Sequence, residues 1–404
     1  MNRPAEPIPK PRLRVLHVVP SFYPAVGYGG PVRALFELCR AQVEAGLDVR
    51  VLTSDADGTQ RMTALSNRWV TDFGVPTFYA PVRIGQDIAP SLVVRIAQAL
   101  AATDLVHVSG LWSPTSLLGL SLAALHRRPI VLSPHGSLMP WALHSGRGRT
   151  QKMAALRLLR PLIDRIAGWH VSSQAEADGI RALCSDGLLS ARIPIACVEY
   201  GIWPDAIATA DKPPLARNPQ IVVLGRIHPV KRLELAIDAL WELHKTHPTA
   251  QLILAGPTED PGYRARLEQQ AASRGLAQAV FWPGLLDETK KTELLSSAAV
   301  LWLCSHMESF GLVVIEALSQ GTPVIATTQT PWPQLASERI GAQVDADPRA
   351  FAESTRALFS QPEALQKAQS NRCRDFVRSH YTWPALTARL CAFYETCAGV
   401  TLHP

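Results

Sequence analysis

The chain has 404 residues, 47% of them hydrophobic and 18% charged, with a net charge of +6. That length exceeds one ordinary core and suits two domains of about 150–200 residues, while no apolar run, SLLGLSLAAL included, approaches the ~20 residues that span a bilayer. Seven cysteines (39, 184, 197, 304, 373, 391 and 397) form an odd set without CxxC spacing, which argues against a disulfide framework or a zinc site and for reduced, cytoplasmic thiols.

In chain order, the Pro-rich start MNRPAEPIPKPR lacks the apolar stretch of a signal peptide, and residues 1–11 are expected to be a disordered tail. LRVLHVV, DVRVLTS, DLVHVSG, PIVLSPHG, GWHVSS and IACVEYG then read as strands. Helical patterns lie between several of them, such as Val32, Leu35, Phe36, Cys39 and Val43 on one face. After ADKPPLARNPQ, a linker by composition, the pattern restarts with IVVLG, QLILAG, VFWPG, AVLWLCS and TPVIAT, and WPALTARLCAFYETCA reads as a final helix. Nearly all-apolar strands alternating with helices predict parallel sheets covered on both faces, and the restart predicts two of them. The expected fold is α/β, with two facing Rossmann-like domains at 12–205 and 206–382 and a C-terminal helix, 383–404, packing back on the first. Ligands bind outside the carboxyl ends of such strands, so the interdomain cleft is the expected site.

The loops at those strand ends carry the chemistry. Gly29 and Gly30 precede a helix with Pro31 at its start, a pattern that lets backbone N–H groups approach a phosphate, with an ordinary tight turn as the alternative. His135 ends the strand PIVLSPHG and is either structural or directed at the cleft. Arg226 follows the strand IVVLG and Lys231 stands five residues later, two cations suited to a pyrophosphate, with surface solvation as the alternative. In SHMESFGLVVIEALSQG, Glu308 falls in a loop and Glu316 one to two turns into a helix that begins near Gly311 and stops at Gly321. A carboxylate in so apolar a helix needs a partner. That partner is an Arg elsewhere in the fold or the vicinal hydroxyls of a sugar or ribose, which give one carboxylate two hydrogen bonds.

G-R-x4-K, followed about eighty residues later by E-S-F-G-x4-E and G-x-P-V-I-A, resembles the retaining nucleotide-sugar glycosyltransferases of the GT-B fold, glycosyltransferase family 4. The segment SPHGSLMPWAL further resembles a bacterial branch that builds O-antigens and exopolysaccharides. In many members of that branch an arginine stands where this chain has His135. The resemblance implies that Arg226 and Lys231 hold the donor pyrophosphate and Glu316 the nucleotide ribose. It places Glu308 on the donor sugar, and the amides of Phe310, Gly311 and Leu312 on its hydroxyls and phosphate. Gly30 would approach the phosphates and His135 the reacting centre. It implies transfer from a nucleoside diphosphate sugar to a lipid-linked saccharide with front-face retention, since no second carboxylate stands at the spacing of a double displacement.

No cofactor beyond the donor and no metal is expected. The DAD segments at Asp55–Asp57 and Asp345–Asp347 read as solvated loops, and Trp112 and Trp141 are reserved for the acceptor. The positive excess lies wholly in the first half, where residues 1–200 hold 21 Lys+Arg against 14 Asp+Glu. This points to an anionic partner, and the lack of a nucleic-acid module argues against nucleic acid. Within 147–166, Arg147, Arg149, Lys152, Arg157, Arg160 and Arg165 alternate with Met153, Leu156, Leu159, Ile163 and Ile166. That stretch is either a surface for anionic lipid on the inner face of the cell membrane or a helix packed on the sheet. A nucleotide-sugar epimerase and a non-catalytic sugar-nucleotide binder are the rival functions.

Overall fold

The computed structural model describes residues 13–399 apart from 26, 28, 29, 59, 86, 145–148 and 211–218. The N-terminal tail, Gly29, Arg147 and most of the expected linker therefore lie outside the described residues. The chain divides into two compact units, Met1–Val198 with Thr387–Pro404, and Glu199–Leu386.

The first unit is built on an eight-stranded sheet among the described residues. Its order is Ile195–Cys197, Gly168–Val171, Ile130–Ser133, Leu105–Ser109, Arg14–Val18, Asp48–Ser54, Thr77–Ala80 and Trp69–Val70. All neighbours are parallel except the last pair, where the edge strand Trp69–Val70 runs antiparallel. Burial on both faces explains the apolar runs. Helices cover the sheet, among them Pro114–Leu125, whose Ser113 caps the Thr115 N–H with Pro114 at the first helical position.

Three inner strands break their apolar runs with a histidine, and the three are threaded on one polar chain. His170 Nε2 meets the Val198 carbonyl at 2.9 Å and Nδ1 meets Ser133 Oγ at 2.8 Å. Ser133 Oγ meets His107 Nε2 at 2.7 Å, and His107 Nδ1 meets Tyr394 Oη at 2.6 Å. Tyr394 accepts from Gln42 Nε2 at 3.0 Å, and Gln42 Oε1 meets His17 Nε2 at 2.8 Å. Because the Val198 carbonyl only accepts, His170 must donate to it through Nε2, and each link then fixes the next. All three histidines carry their proton on Nε2. Burial pushes His17 and His170 down to about 4 and His107 well below its ordinary value. The chain is neutral, and it fastens Tyr394 of the final helix, Trp383–Ala398, to the sheet.

The second unit holds a six-stranded parallel sheet, ordered Val280–Gly284, Gln251–Ala255, Gln220–Leu224, Val300–Leu303, Val324–Thr327 and Gly341–Val344. Helix Leu233–His244 packs seven buried residues against it, and Trp302, fully buried, donates to Thr355 Oγ1 at 3.0 Å. The unit begins before the expected linker. Ile202 pairs with Thr382 as an isolated bridge, and the Ala208 N–H donates to the Ser319 carbonyl at 3.0 Å.

Candidate active site

In the second unit the strand order reverses at Gln220–Leu224, which stands between Gln251–Ala255 and Val300–Leu303. Loops leaving neighbouring strands diverge at such a point and open a crevice. One of these loops carries Arg226 and Lys231, the other Ser305 to Gly311, and the structure ties them together. The His306 N–H donates to the Val230 carbonyl at 2.9 Å, and Lys231 Nζ donates to Glu308 Oε1 at 2.6 Å. The same oxygen accepts from Ser305 Oγ at 2.6 Å. Both charged side chains are largely sheltered, at 16% and 12% exposed.

Two glycines make this pairing possible. Gly225 has φ +151°, and a Cβ on it would stand 3.0 Å from Lys231 Cε. A Cβ on Gly256 would lie 1.9 Å from the Gly225 carbonyl oxygen. The ends of the two strands therefore meet backbone to backbone, with Lys231 folded over them. Arg226 holds a different carboxylate, Glu259 at 2.7 Å, in a more exposed pair.

Gly311 caps the helix Leu312–Ser319 with φ +84°. A Cβ there would approach Trp332 Nε1 to 3.3 Å and Glu308 Cγ to 3.5 Å, so a larger residue would be strained by its backbone and crowded as well. Phe310 is 4% exposed and wedged among Tyr200, Trp332 and Tyr381, with Trp332 Nε1 donating to its carbonyl. Its ring belongs to the core, so what the loop offers a ligand is backbone. The Val314 N–H donates to the Gly311 carbonyl at 2.9 Å, while the N–H groups of Leu312 and Val313, which precede it, have no partner within the helix, and the dipole favours an anion there.

Glu316, the fifth residue of that helix, pairs with Lys291 at 2.7 Å rather than with the arginine considered from the sequence. Lys291 also meets Glu288 at 3.0 Å. Burial pulls the Lys291 ammonium down, but Glu316 and Glu288 outweigh it and hold it above its ordinary value.

In the first unit the order reverses at Arg14–Val18, and Gly30 opens the helix Gly30–Glu44 beyond that strand. A Cβ on Gly30 would meet nothing within 4 Å, so packing does not demand a glycine there. The first DAD segment is not a solvated loop. Asp55 is 4% exposed, accepting from Ser66 Oγ at 2.7 Å and the Val82 N–H at 2.9 Å, while Asp57 holds the Gly27 N–H at 2.7 Å. The second segment does lie at the surface, where Asp347 caps the helix Pro348–Phe359.

His135 adopts φ +50°, a conformation that non-glycine residues take sparingly. Burial, with His170 nearby, pushes its pKa down to about 3, so it is neutral at physiological pH. Its loop is held by Glu176, a residue not singled out from the sequence. That buried carboxylate accepts from the Gly136 N–H and, at 2.9 and 3.0 Å, from the Ser172 N–H and hydroxyl. Ser173 caps the Glu176 N–H in return. S-x-x-E before an apolar run is a capping-box pattern and was the available signal.

Trp112 is half-buried with Nε1 3.5 Å from the Ser137 carbonyl, and Trp141 is 39% exposed. The basic stretch forms a helix, Arg149–Ile163, that runs through Pro161. Its apolar stripe does not face outward. Leu156, Ile163 and Ile166 are buried, and Met153 and Leu159 pack against the core. What faces solvent is Arg157, Leu158 at 81% exposed, Arg160 and Arg165, with Arg160 tied to the Gly187 carbonyl at 2.8 Å.

Two families match the chain, glycosyl transferases group 1 over residues 208–375 and a glycosyl transferase 4-like domain over 29–187. A GDP-mannose:cellobiosyl-diphosphopolyprenol alpha-mannosyltransferase from Komagataeibacter xylinus is 27% identical over 395 residues, covering 96% of this chain and 95% of that one. A glycogen synthase from Mycobacterium tuberculosis is 26% identical, with 92% of each covered. Among solved structures, Anabaena HepE in complex with UDP and glucose superposes with a TM-score of 0.73 at 18% identity, over 95% of this chain and 100% of that one.

Proposed function

Because the chain belongs to the GT-B glycosyltransferases of the family 4 type and takes a nucleotide-sugar donor, we propose that it transfers the sugar with retention to a lipid-linked saccharide in surface or extracellular polysaccharide synthesis. The observation that carries the donor assignment is the sheltered Lys231–Glu308 pair at the point of strand reversal, beside a glycine-capped helix. In this reading the donor diphosphate takes over Lys231, releasing Glu308 to the sugar hydroxyls. Lys231, Arg226 and the helix dipole stabilise the charge growing on the leaving diphosphate, which is the task a metal ion performs in other transferases. Glu316 holds the ribose. Neutral His135 offers the donor sugar a hydrogen bond without a positive charge, on a loop fixed by Glu176, and Gly30 leaves room for the phosphates.

The lipid-linked acceptor is favoured by the mannosyltransferase relative, whose name specifies a diphosphopolyprenol. Arg157, Leu158 and Arg165 are the residues proposed to meet anionic headgroups, in place of the apolar stripe. Sedimentation with anionic vesicles that is unchanged by R157E/R165E would remove that contact.

The test of function is incubation with UDP- and GDP-sugars, with and without polyprenyl-diphosphate saccharides. Acceptor-dependent release of nucleoside diphosphate, with the anomeric configuration of the donor kept in the product, is expected. A free, epimerised sugar nucleotide formed without acceptor would make the protein an epimerase, and binding without turnover would make it a non-catalytic binder.

A further inference from the structure

Glu316 is an awkward residue for its own helix. In Leu312–Ser319, Val314, Ile315, Ala317 and Leu318 are all fully buried, and a carboxylate drawn in among them requires a partner. Lys291 supplies it from the first turn of another helix, Glu288–Ser297. The ammonium sits between an inner and an outer carboxylate. Glu316 is 14% exposed and Glu288 58%, and the lysine itself is 19% exposed.

The contact is one-sided in a way that matters. Lys291 takes Oε1 of Glu316, and among the described residues no hydrogen bond engages Oε2. The Ser319 hydroxyl bonds the backbone carbonyl of Glu316 and leaves the carboxylate alone. A carboxylate with one oxygen pinned and the other unengaged has a fixed rotamer and one defined acceptor, which is how a small hydroxyl is read accurately.

We propose that Lys291 is a positioning residue for nucleotide recognition. By pinning Oε1 it presents Oε2 to the ribose, and so sets the preference of the protein for ribonucleotide over deoxyribonucleotide donors. The proposal rests on Glu316 being the ribose ligand.

Binding of UDP, GDP and their 2′-deoxy and 3′-deoxy forms to the full chain, measured by calorimetry, tests it. The wild type is expected to favour a ribonucleotide by about tenfold over at least one deoxy form, the scale of a hydrogen bond to a charged acceptor. K291M should lose most of that ratio, K291R should keep it, and the double variant K291M/E316Q should be no worse than E316Q, since the lysine acts through the glutamate. K231M should weaken ribo and deoxy forms alike and leave the ratio unchanged. A wild-type ratio in K291M alongside a lost one in E316Q would overturn the proposal and leave Lys291 a plain ion-pair partner. No ribose preference in the wild type would overturn the ribose assignment itself. Should K291M fail to fold, K291Q takes its place, with the same outcomes.

Discussion

Lowering the pH from 7.5 to 5 should unfold or nearly unfold the first unit while sparing the second. His17, His170 and His135 sit at about 4, 4 and 3 in the folded chain, pushed there mainly by burial, against about 6.5 when unfolded. Between 6.5 and 4 the unfolded chain binds protons that the folded one refuses, so stability is complete above 6.5 and falls as the pH drops. Each pH unit is worth about 1.4 kcal/mol per proton, so at pH 5 each histidine removes about 2 kcal/mol and the three together about 6 kcal/mol. His107 adds to the loss in the same direction. Glu176, which burial raises, works the other way and offsets part of it. Tyr394 is raised far above this range and does not titrate there. A domain is typically stable by only 5–15 kcal/mol, so a loss of about 6 kcal/mol is decisive. Peptide-resolved hydrogen exchange at the two pH values, corrected for intrinsic rates, separates the units. Equal protection of 105–109, 130–133 and 168–171 at pH 7.5 and pH 5 would refute the reasoning.

Three further outcomes are expected. Y394F removes the link between Gln42 and His107 and leaves buried groups unpaired, at a cost of about 1–3 kcal/mol; denaturant melts should place the loss in the first unit. K231A should lower turnover at least about tenfold, and R226A should do so less steeply because its guanidinium is more exposed, so a near-normal rate in K231A would move the phosphate site elsewhere. Transfer should persist in EDTA, and abolition reversed by magnesium would contradict a cation-only donor site.

Much of the fold can be read in advance because a parallel strand buried on both faces has few options besides Val, Ile and Leu. VVLG, LILAG and VLWLC declare themselves in this way. Thr77–Ala80, four residues behind a proline, and Gly341–Val344, half-exposed along its length, do not, and both escape the pattern. Among site residues, Glu308 and Lys231 are legible as types in a spacing, but their contact spans 77 positions and only the fold brings it about. Lys291 is hidden in ETKKTELLSS, where a lysine has every reason to be a solvated surface charge. The three histidines of LHVV, VHVS and WHVS share one local pattern, X-H-V, but it does not tell that His17 and His107 are paired across adjacent strands while His170 lies beyond the intervening strand Ile130–Ser133, nor does it mark the hydroxyls that link them. The stripe of Met153 to Ile166 shows the limit of periodicity. It finds an apolar face without saying whether protein or lipid covers it.

The dependence of the histidine chain on Tyr394 also has a consequence for synthesis. Tyr394 is 287 residues downstream of His107 and 352 downstream of Gln42. At about 5–20 residues per second, a ribosome reaches it some 15 to 60 seconds after the central strand has emerged. The unit made first is thus the one completed last, and the unit between its two pieces can fold while the earlier one waits. A stop at or just before codon 394 would strike the unit that holds residues 13–198, with the whole of the second unit lying in sequence between the damage and the lesion.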